Sequence, residues 1–240
     1  MSWFANWFDS SYYHILYKNR DEKEAELFIE NLITKLQIKK GSKLIDIACG
    51  KGRHATYFNK KGLDVIGIDL SKNSIATAKQ FENSSLMFDV HDMREVYKEN
   101  HFDIAINLFT SFGYFDNDQD EQKTMGAMAS NLKSGGLLII DFMNVKKSIT
   151  NLIASEQKII DRITFDISRK VVNQHIIKSI YITDSKTKHY FQEKVKALTL
   201  ADFSDFITNA ELKIIDIFGN YKLKEFNAQT SDRLILICKK

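Results

Sequence analysis

The sequence predicts an α/β fold: a doubly wound, mostly parallel seven-stranded sheet carrying an inserted antiparallel β subdomain. Three observations predict it. Up to residue 142, short apolar runs alternate with segments of helical period. Residues 64–69 are apolar between their terminal acids, as a strand covered on both faces should be. After residue 155 the period becomes two, with Ile163, Phe165 and Ile167 alternating with Arg162, Thr164 and Asp166.

The elements follow in order. Trp3, Phe4, Trp7 and Phe8 stand at helical spacing and read as a hydrophobic clamp on the core, with a mobile lid or a dimer contact as the alternatives. Residues 22–38 form a helix with Leu27, Phe28, Leu32, Ile33 and Leu36 on one face. The first strand, 43–47, enters a glycine loop, and the helix beyond it turns Ala55 and Phe58 inward and stops at Gly62. The second strand is 64–69, and Ser71 then caps a helix carrying Ile75 and Ala78. Strands follow at 85–90 and 102–108, a helix at 117–132 and a fifth strand at 137–142.

In the segment 155–198, Ile176, Ile180 and Ile182 share a face, as do Phe191, Val195 and Ala197, with a turn at Asp184-Ser185-Lys186. Thr199-x-x-Asp202 is the pattern of a capping box before a helix with Phe203, Phe206 and Ile207. Strands at 213–218 and 233–238 complete the sheet. Residues 1–154 and 199–240 therefore read as one core with an N-terminal lid, and 155–198 as an antiparallel cap.

Composition narrows the function. With 240 residues the chain can bury a full core, and 44% hydrophobic and 27% charged residues are ordinary for a globular protein. A net charge of +3, with scattered lysine pairs and no arginine-rich stripe, favours solvated faces over a nucleic-acid surface. Two cysteines and six dispersed histidines offer neither a disulfide framework nor metal-ligand spacing, so no metal site is expected. No apolar run is long enough to span a membrane, and residues 1–9 lack the pattern of a signal peptide. The expectation is a cytoplasmic protein, a monomer or a homodimer. Proline is absent.

Residues 44–53 carry the chemistry. An apolar strand holding Asp46 runs into a loop with Gly50 and Gly52, where backbone N–H groups can approach a nucleoside closely. The spacing Gly50-x-Gly52-x-x-Ala55 also matches a relaxed dinucleotide fingerprint. Asp69, which closes the second strand, can accept both ribose hydroxyls of an adenosine. Asp46, placed where a dinucleotide fold wants an apolar residue, can attract an ammonium group. Asp92 can accept an adenine amino group with Met93 packed on the ring, or can serve as a helix cap.

On these residues the chain resembles the class I S-adenosylmethionine-dependent methyltransferases, whose fold is Rossmann-like. Asp46 to His54 resembles their first motif, with Ala48 where glycine is more common, and Asp69 resembles the ribose acid. Asp92-Met93-Arg94 resembles the adenine segment, Phe102-Asp103 to Asn107-Leu108 the fourth-strand motif, and Gly135-Gly136-Leu137 the start of the fifth strand. Residues 12–21, and 218–221 through 231–233, resemble a subgroup with an antiparallel insertion and a capping N-terminal segment, which acts largely on small molecules.

The resemblance implies S-adenosyl-L-methionine as cofactor, bound by Asp46, Ala48, Gly50, Gly52, Asp69, Leu70, Asp92, Met93, Asn107 and Leu108. Tyr17 and Arg20 are the candidates for its carboxylate. The implied reaction is in-line transfer of a methyl group to an N or O nucleophile of a small molecule. Positioning alone can supply on the order of 7–11 kcal/mol to such a step. No motif forces a catalytic base; Tyr114 and His189 are the candidates, with His175, Tyr181 and Tyr190 also in reach of the insertion. The chain lacks both the Asn/Asp-Pro-Pro-aromatic segment and the Pro-Cys nucleophile of nucleic-acid methylating enzymes, and Cys49 reads as a small loop residue. An NAD-dependent oxidoreductase and a non-catalytic cofactor-binding module are the alternatives.

Overall fold

The computed structural model describes residues 3–18 and 22–240. Three helices open the chain: α1 (Trp3–Phe8), α2 (Ser11–Leu16) and α3 (Glu22–Lys35). The α/β alternation then runs β1 (Lys43–Ile47), α4 (Arg53–Lys60), β2 (Asp64–Asp69), α5 (Lys72–Ala78), β3 (Leu86–Val90), β4 (Phe102–Asn107), α6 (Asp118–Asn131) and β5 (Leu132–Met143). After a short α7 (Val145–Thr150) come β6 (Ser155–Ile160), β7 (Ile163–Val172), β8 (His175–Asp184) and β9 (Thr187–Lys196). The chain closes with α8 (Leu200–Asn209), β10 (Lys213–Phe218) and β11 (Arg233–Lys239).

Two sheets result. The seven-stranded sheet has the order β10-β11-β5-β4-β1-β2-β3, and β6-β7-β8-β9 form a four-stranded meander. Strands β1 to β5 pair in parallel, whereas β11 runs antiparallel to both β5 and β10. Apolar residues such as Ile45, Ile47, Ala105 and Ile140 face one buried layer, and Leu44, Val65, Ile104 and Ile139 face the other. The two layers explain why these strands carry no polar alternation.

Local signals set the boundaries. The Ser71 hydroxyl accepts from Ser74 N at 3.0 Å to start α5, Asn117 caps α6, and Thr199 with Asp202 forms the capping box of α8. Strand β5 begins five residues earlier than the sequence suggests, because a register shift opposite Phe102–Ile104 lets Leu132 pair before the glycines. Strand β6 and helices α2 and α7 are elements that periodicity does not announce.

The N-terminal aromatic residues pack on both parts: Trp3, Phe4 and Phe8 meet Tyr114 and Phe115 of the loop after β4, and Trp7 enters the inserted sheet. Trp7 is fully buried against Phe165, Ile167 and Ile180, with Phe8, Tyr13 and Tyr17 packed around them. The turn between α1 and α2 reaches back to the core at the start of α5. There the Asp9 carboxylate accepts from Ser71 Oγ at 2.5 Å, Asn73 N at 3.1 Å and Asn73 Nδ2 at 2.7 Å. The first two helices therefore bridge the two sheets.

Candidate functional site

The cavity lies at the C-terminal ends of β1, β2 and β4, where the strand order reverses between β1 and β4. That crevice is where open α/β sheets bind ligands. It has a volume of about 570 Å³, within the range of small-molecule sites. Its floor is the loop after β1, and its roof is formed by the N-terminal helices and β9.

The loop winds tightly through left-handed backbone at Ala48 (φ 61°), Gly50 (φ 56°) and Gly52 (φ 79°). An L residue at Ala48 carries a local cost of about 1–2 kcal/mol that glycine would not. The two glycines do different work. A Cβ at Gly50 would meet nothing within 4 Å, so this position opens onto ligand space. A Cβ at Gly52 would lie 2.4 Å from the Phe88 ring, so this position keeps room for the core beneath the loop.

Two acids flank the loop. Asp69 accepts from Gly50 N and Ser71 N, both at 2.8 Å, one bond to each carboxylate oxygen. Burial nonetheless holds its pKa above the ordinary value. A carboxylate offers about four acceptor directions, so two remain for ligand hydroxyls. Asp46 is 1% exposed and accepts one bond, from Ala55 N at 3.1 Å. Burial first, then the charge of Asp69, push its pKa up to about 8 against the relief given by the Ala55 bond. Two acids close together with little solvent favour a cationic ligand.

The loop after β4 forms the opposite wall. Phe109 and Thr110 are both left-handed (φ 61° and 63°), a strained pair held by the buried Asp141. Phe109 N donates to Asp141 Oδ2 at 2.9 Å, and Thr110 N to the Asp141 carbonyl at 2.9 Å. Arg233 binds Asp141 Oδ1 at 2.7 Å and Thr110 Oγ1 at 3.0 Å, while the Tyr221 hydroxyl donates to Asp141 Oδ2 at 3.1 Å. Further along, the buried Glu121 accepts from Gly113 N at 3.2 Å and Phe115 N at 3.0 Å, fixing Tyr114 between them. Burial raises the Glu121 pKa to about 7.

The cavity brings together Tyr17, Asp46, Ala48, Gly50, Asp69, Leu108 and Tyr114 from the residues singled out in sequence. Gly52, Leu70, Asp92, Met93, Asn107 and His189 do not line it. Asp92 forms an ion pair with Arg94 at 2.6 Å, and Met93 packs on the core. Both still follow closely on the neighbourhood of Asp69, because β3 pairs Val90 with Asp69 and His91 N donates to the Asp69 carbonyl at 3.0 Å. Leu70 is exposed at that same edge. Asn107 is buried beneath the cavity, donating to the Ile47 carbonyl at 3.0 Å, with its Oδ1 unpartnered among the described residues. His189 sits nearer the β8–β9 turn, 3.0 Å from the Tyr12 hydroxyl. Arg20 lies outside the described residues.

A family model described as a methyltransferase domain matches residues 38–199. The chain belongs to this methyltransferase family. Among curated relatives, dTDP-3-amino-3,4,6-trideoxy-alpha-D-glucopyranose N,N-dimethyltransferase of Streptomyces venezuelae is 27% identical over 42% of each chain. Glycine/sarcosine N-methyltransferase of Aphanothece halophytica is 32% identical over 52% of this chain and 48% of its own. The matches thus span under half the length of these relatives. An S-adenosylmethionine-dependent methyltransferase from Clostridium acetobutylicum ATCC 824 shares the fold, with a TM-score of 0.80, 19% identity and 95% of each chain covered.

Sequence reasoning missed several residues of the methyltransferase cavity. Arg53 and His54 line it, with the Arg53 guanidinium 4.7 Å from the Phe109 ring centre and the His54 ring stacked on Phe109. Their place in the first motif was a usable signal. Glu193 and Val195 enter from β9, and for these the alternation marked the face but not the reach.

Proposed function

We propose that the chain is an S-adenosyl-L-methionine-dependent methyltransferase that transfers a methyl group to an N or O nucleophile of a small molecule. The observation that carries the reading is the pair Asp46 and Asp69 around a glycine loop whose Gly50 opens onto the cavity. Asp69 has acceptor capacity left for the ribose hydroxyls, and Asp46 complements the ammonium. Leu70, Asp92 and Met93 form the edge on which the adenine would lie; the Tyr17 hydroxyl is engaged by Glu193, so Arg53 is the candidate to face the cofactor's carboxylate. The bound cofactor supplies an electrophilic methyl group on a sulfonium. The chain's own part is to orient an acceptor against it and to exclude water.

Burial under α1, α2 and β9 supports a small acceptor over a polymer, since the roof closes directly over the cavity. The inserted sheet, with boundaries near 155 and 198, acts as the substrate cap, and Tyr114 belongs to the acceptor wall. A dinucleotide reading leaves Asp46 without a partner in the ligand. Thermal stabilisation by S-adenosylhomocysteine and not by NAD is the expected result; the reverse would overturn the cofactor reading. S-adenosylhomocysteine production with some member of an acceptor library separates an enzyme from a binding module.

A further inference from the structure

On the inner face of the inserted sheet Glu156, Lys158 and Arg169 form a charged cluster on β6 and β7, and a second, less exposed charged pair lies on β8 and β9. Lys178 and Glu193 stand directly opposite each other on β8 and β9, their side chains 3.5 Å apart. Both point into the layer formed with the N-terminal helices, among Ile176, Ile180, Phe191 and Val195. A buried ion pair among apolar side chains is at best neutral for stability compared with apolar residues of the same size. Fold stability therefore does not explain it, and its position does, because Glu193 lines the cavity.

The geometry around Glu193 is that of a receptor for a cation. Its Oε1 is taken up by Trp7 Nε1 at 2.8 Å and the Tyr17 hydroxyl at 2.7 Å. Among the described residues its Oε2 has only Lys178 at 3.5 Å, well beyond the ~2.7–2.9 Å of a charge-assisted bond. Acceptor capacity thus remains on Oε2. The same end of the cavity is walled by Trp3, Phe8, Tyr13, Tyr17 and Tyr114. Aromatic faces attract ammonium groups, and the Lys178 ammonium already stands 4.6 Å from the centre of the Tyr17 ring.

We propose that Glu193 anchors the acceptor and that the acceptor is an amine, entering as its ammonium ion between these aromatic walls. The proposal rests on the methyl-transfer reading and narrows it to nitrogen. An ammonium has no lone pair, so one N–H proton must leave before attack; it passes to Oε2 of Glu193, and the freed amine keeps the pair. The carboxylate thus discriminates against alcohols through charge, since an alcohol enters neutral.

The test reads binding, so it does not require the natural acceptor. The full chain, saturated with S-adenosylhomocysteine, is titrated with n-butylammonium and with 1-butanol while tryptophan fluorescence is followed; Trp3 and Trp7 are the only tryptophans. The expected result is saturable binding of the ammonium at least tenfold tighter than the alcohol. In Glu193→Gln, read at saturating S-adenosylhomocysteine, that preference falls at least tenfold, and Glu193→Asp keeps part of it. Equal binding of the two probes, no binding of either at 100 mM on the order of the weakest useful site, or a preference intact in Glu193→Gln would overturn the proposal. If Glu193→Gln does not fold, the comparison of probes on the unaltered chain decides. Calorimetry of S-adenosylhomocysteine alone tests the methyltransferase reading separately.

Discussion

Asp46 should couple cofactor binding to proton release. Its carboxyl is buried beside Asp69 and titrates at about 8, so it is mostly protonated in the free protein at pH 7. The ligand's ammonium favours the ionised form, and binding must expel the proton. With that pKa, roughly nine-tenths of a proton leaves per ligand bound at pH 7. If only the ionised form binds, affinity rises about thirtyfold between pH 5.5 and pH 7, a range over which an α-ammonium stays charged.

The assay is calorimetry of S-adenosylhomocysteine in buffers of different ionisation enthalpy. The slope of observed heat against buffer enthalpy gives the proton count directly. In Asp46→Asn the slope and the pH dependence should both collapse, with a general loss of affinity. 5′-Methylthioadenosine, which lacks the amino-acid group, should bind the unaltered chain with no proton release. Release of less than about a quarter of a proton by the unaltered chain, or equal release by Asp46→Asn, would refute the reasoning.

Three further outcomes are expected. Asp69→Ala should nearly abolish S-adenosylhomocysteine binding by calorimetry while circular dichroism stays unchanged, because it removes the ribose acceptors and the bond to Gly50 N. Gly52→Ala should destabilise the chain by about 2–4 kcal/mol in urea denaturation, since its Cβ would meet the Phe88 ring at 2.4 Å on left-handed backbone. Glu121 binds protons more tightly folded than unfolded, with a pKa moved from 4.5 to about 7, so its contribution is full below pH 4.5 and lost as pH rises through 7. Between pH 4.5 and 8 the unaltered chain should lose on the order of 3 kcal/mol more than Glu121→Gln, measured by urea denaturation.

Much of the fold was legible because its strands are short and doubly covered. Residues 43–47 and 64–69 are apolar runs bounded by glycine or polar residues, and they fold over those same bounds. Where an element has one wet face and no strong alternation, as in β6, the pattern carries no signal. The cavity position of Asp46, Gly50 and Asp69 was legible for a similar reason, since each sits in or directly after an apolar strand. Which glycine faces the ligand was not, since that depends on Phe88 arriving from β3.

The acceptor end was least legible, and β9 shows why. His189, Phe191, Glu193 and Val195 all lie on one face, so a period of two cannot separate the histidine from the glutamate. They stand four residues apart, about 13 Å along a strand. Only the docking of the N-terminal helices decides between them, placing Tyr12 over His189 and Trp7 with Tyr17 over Glu193. Those same helices are latched through Asp9 to Ser71 and Asn73 at the start of α5, just beyond Asp69. One segment thus touches both ends of the cavity, joining Ser71 at the start of α5 to the helices that hold Trp7 and Tyr17 against Glu193. The β9 wall and the glycine loop are far apart in sequence, and this bridge brings them to one cavity.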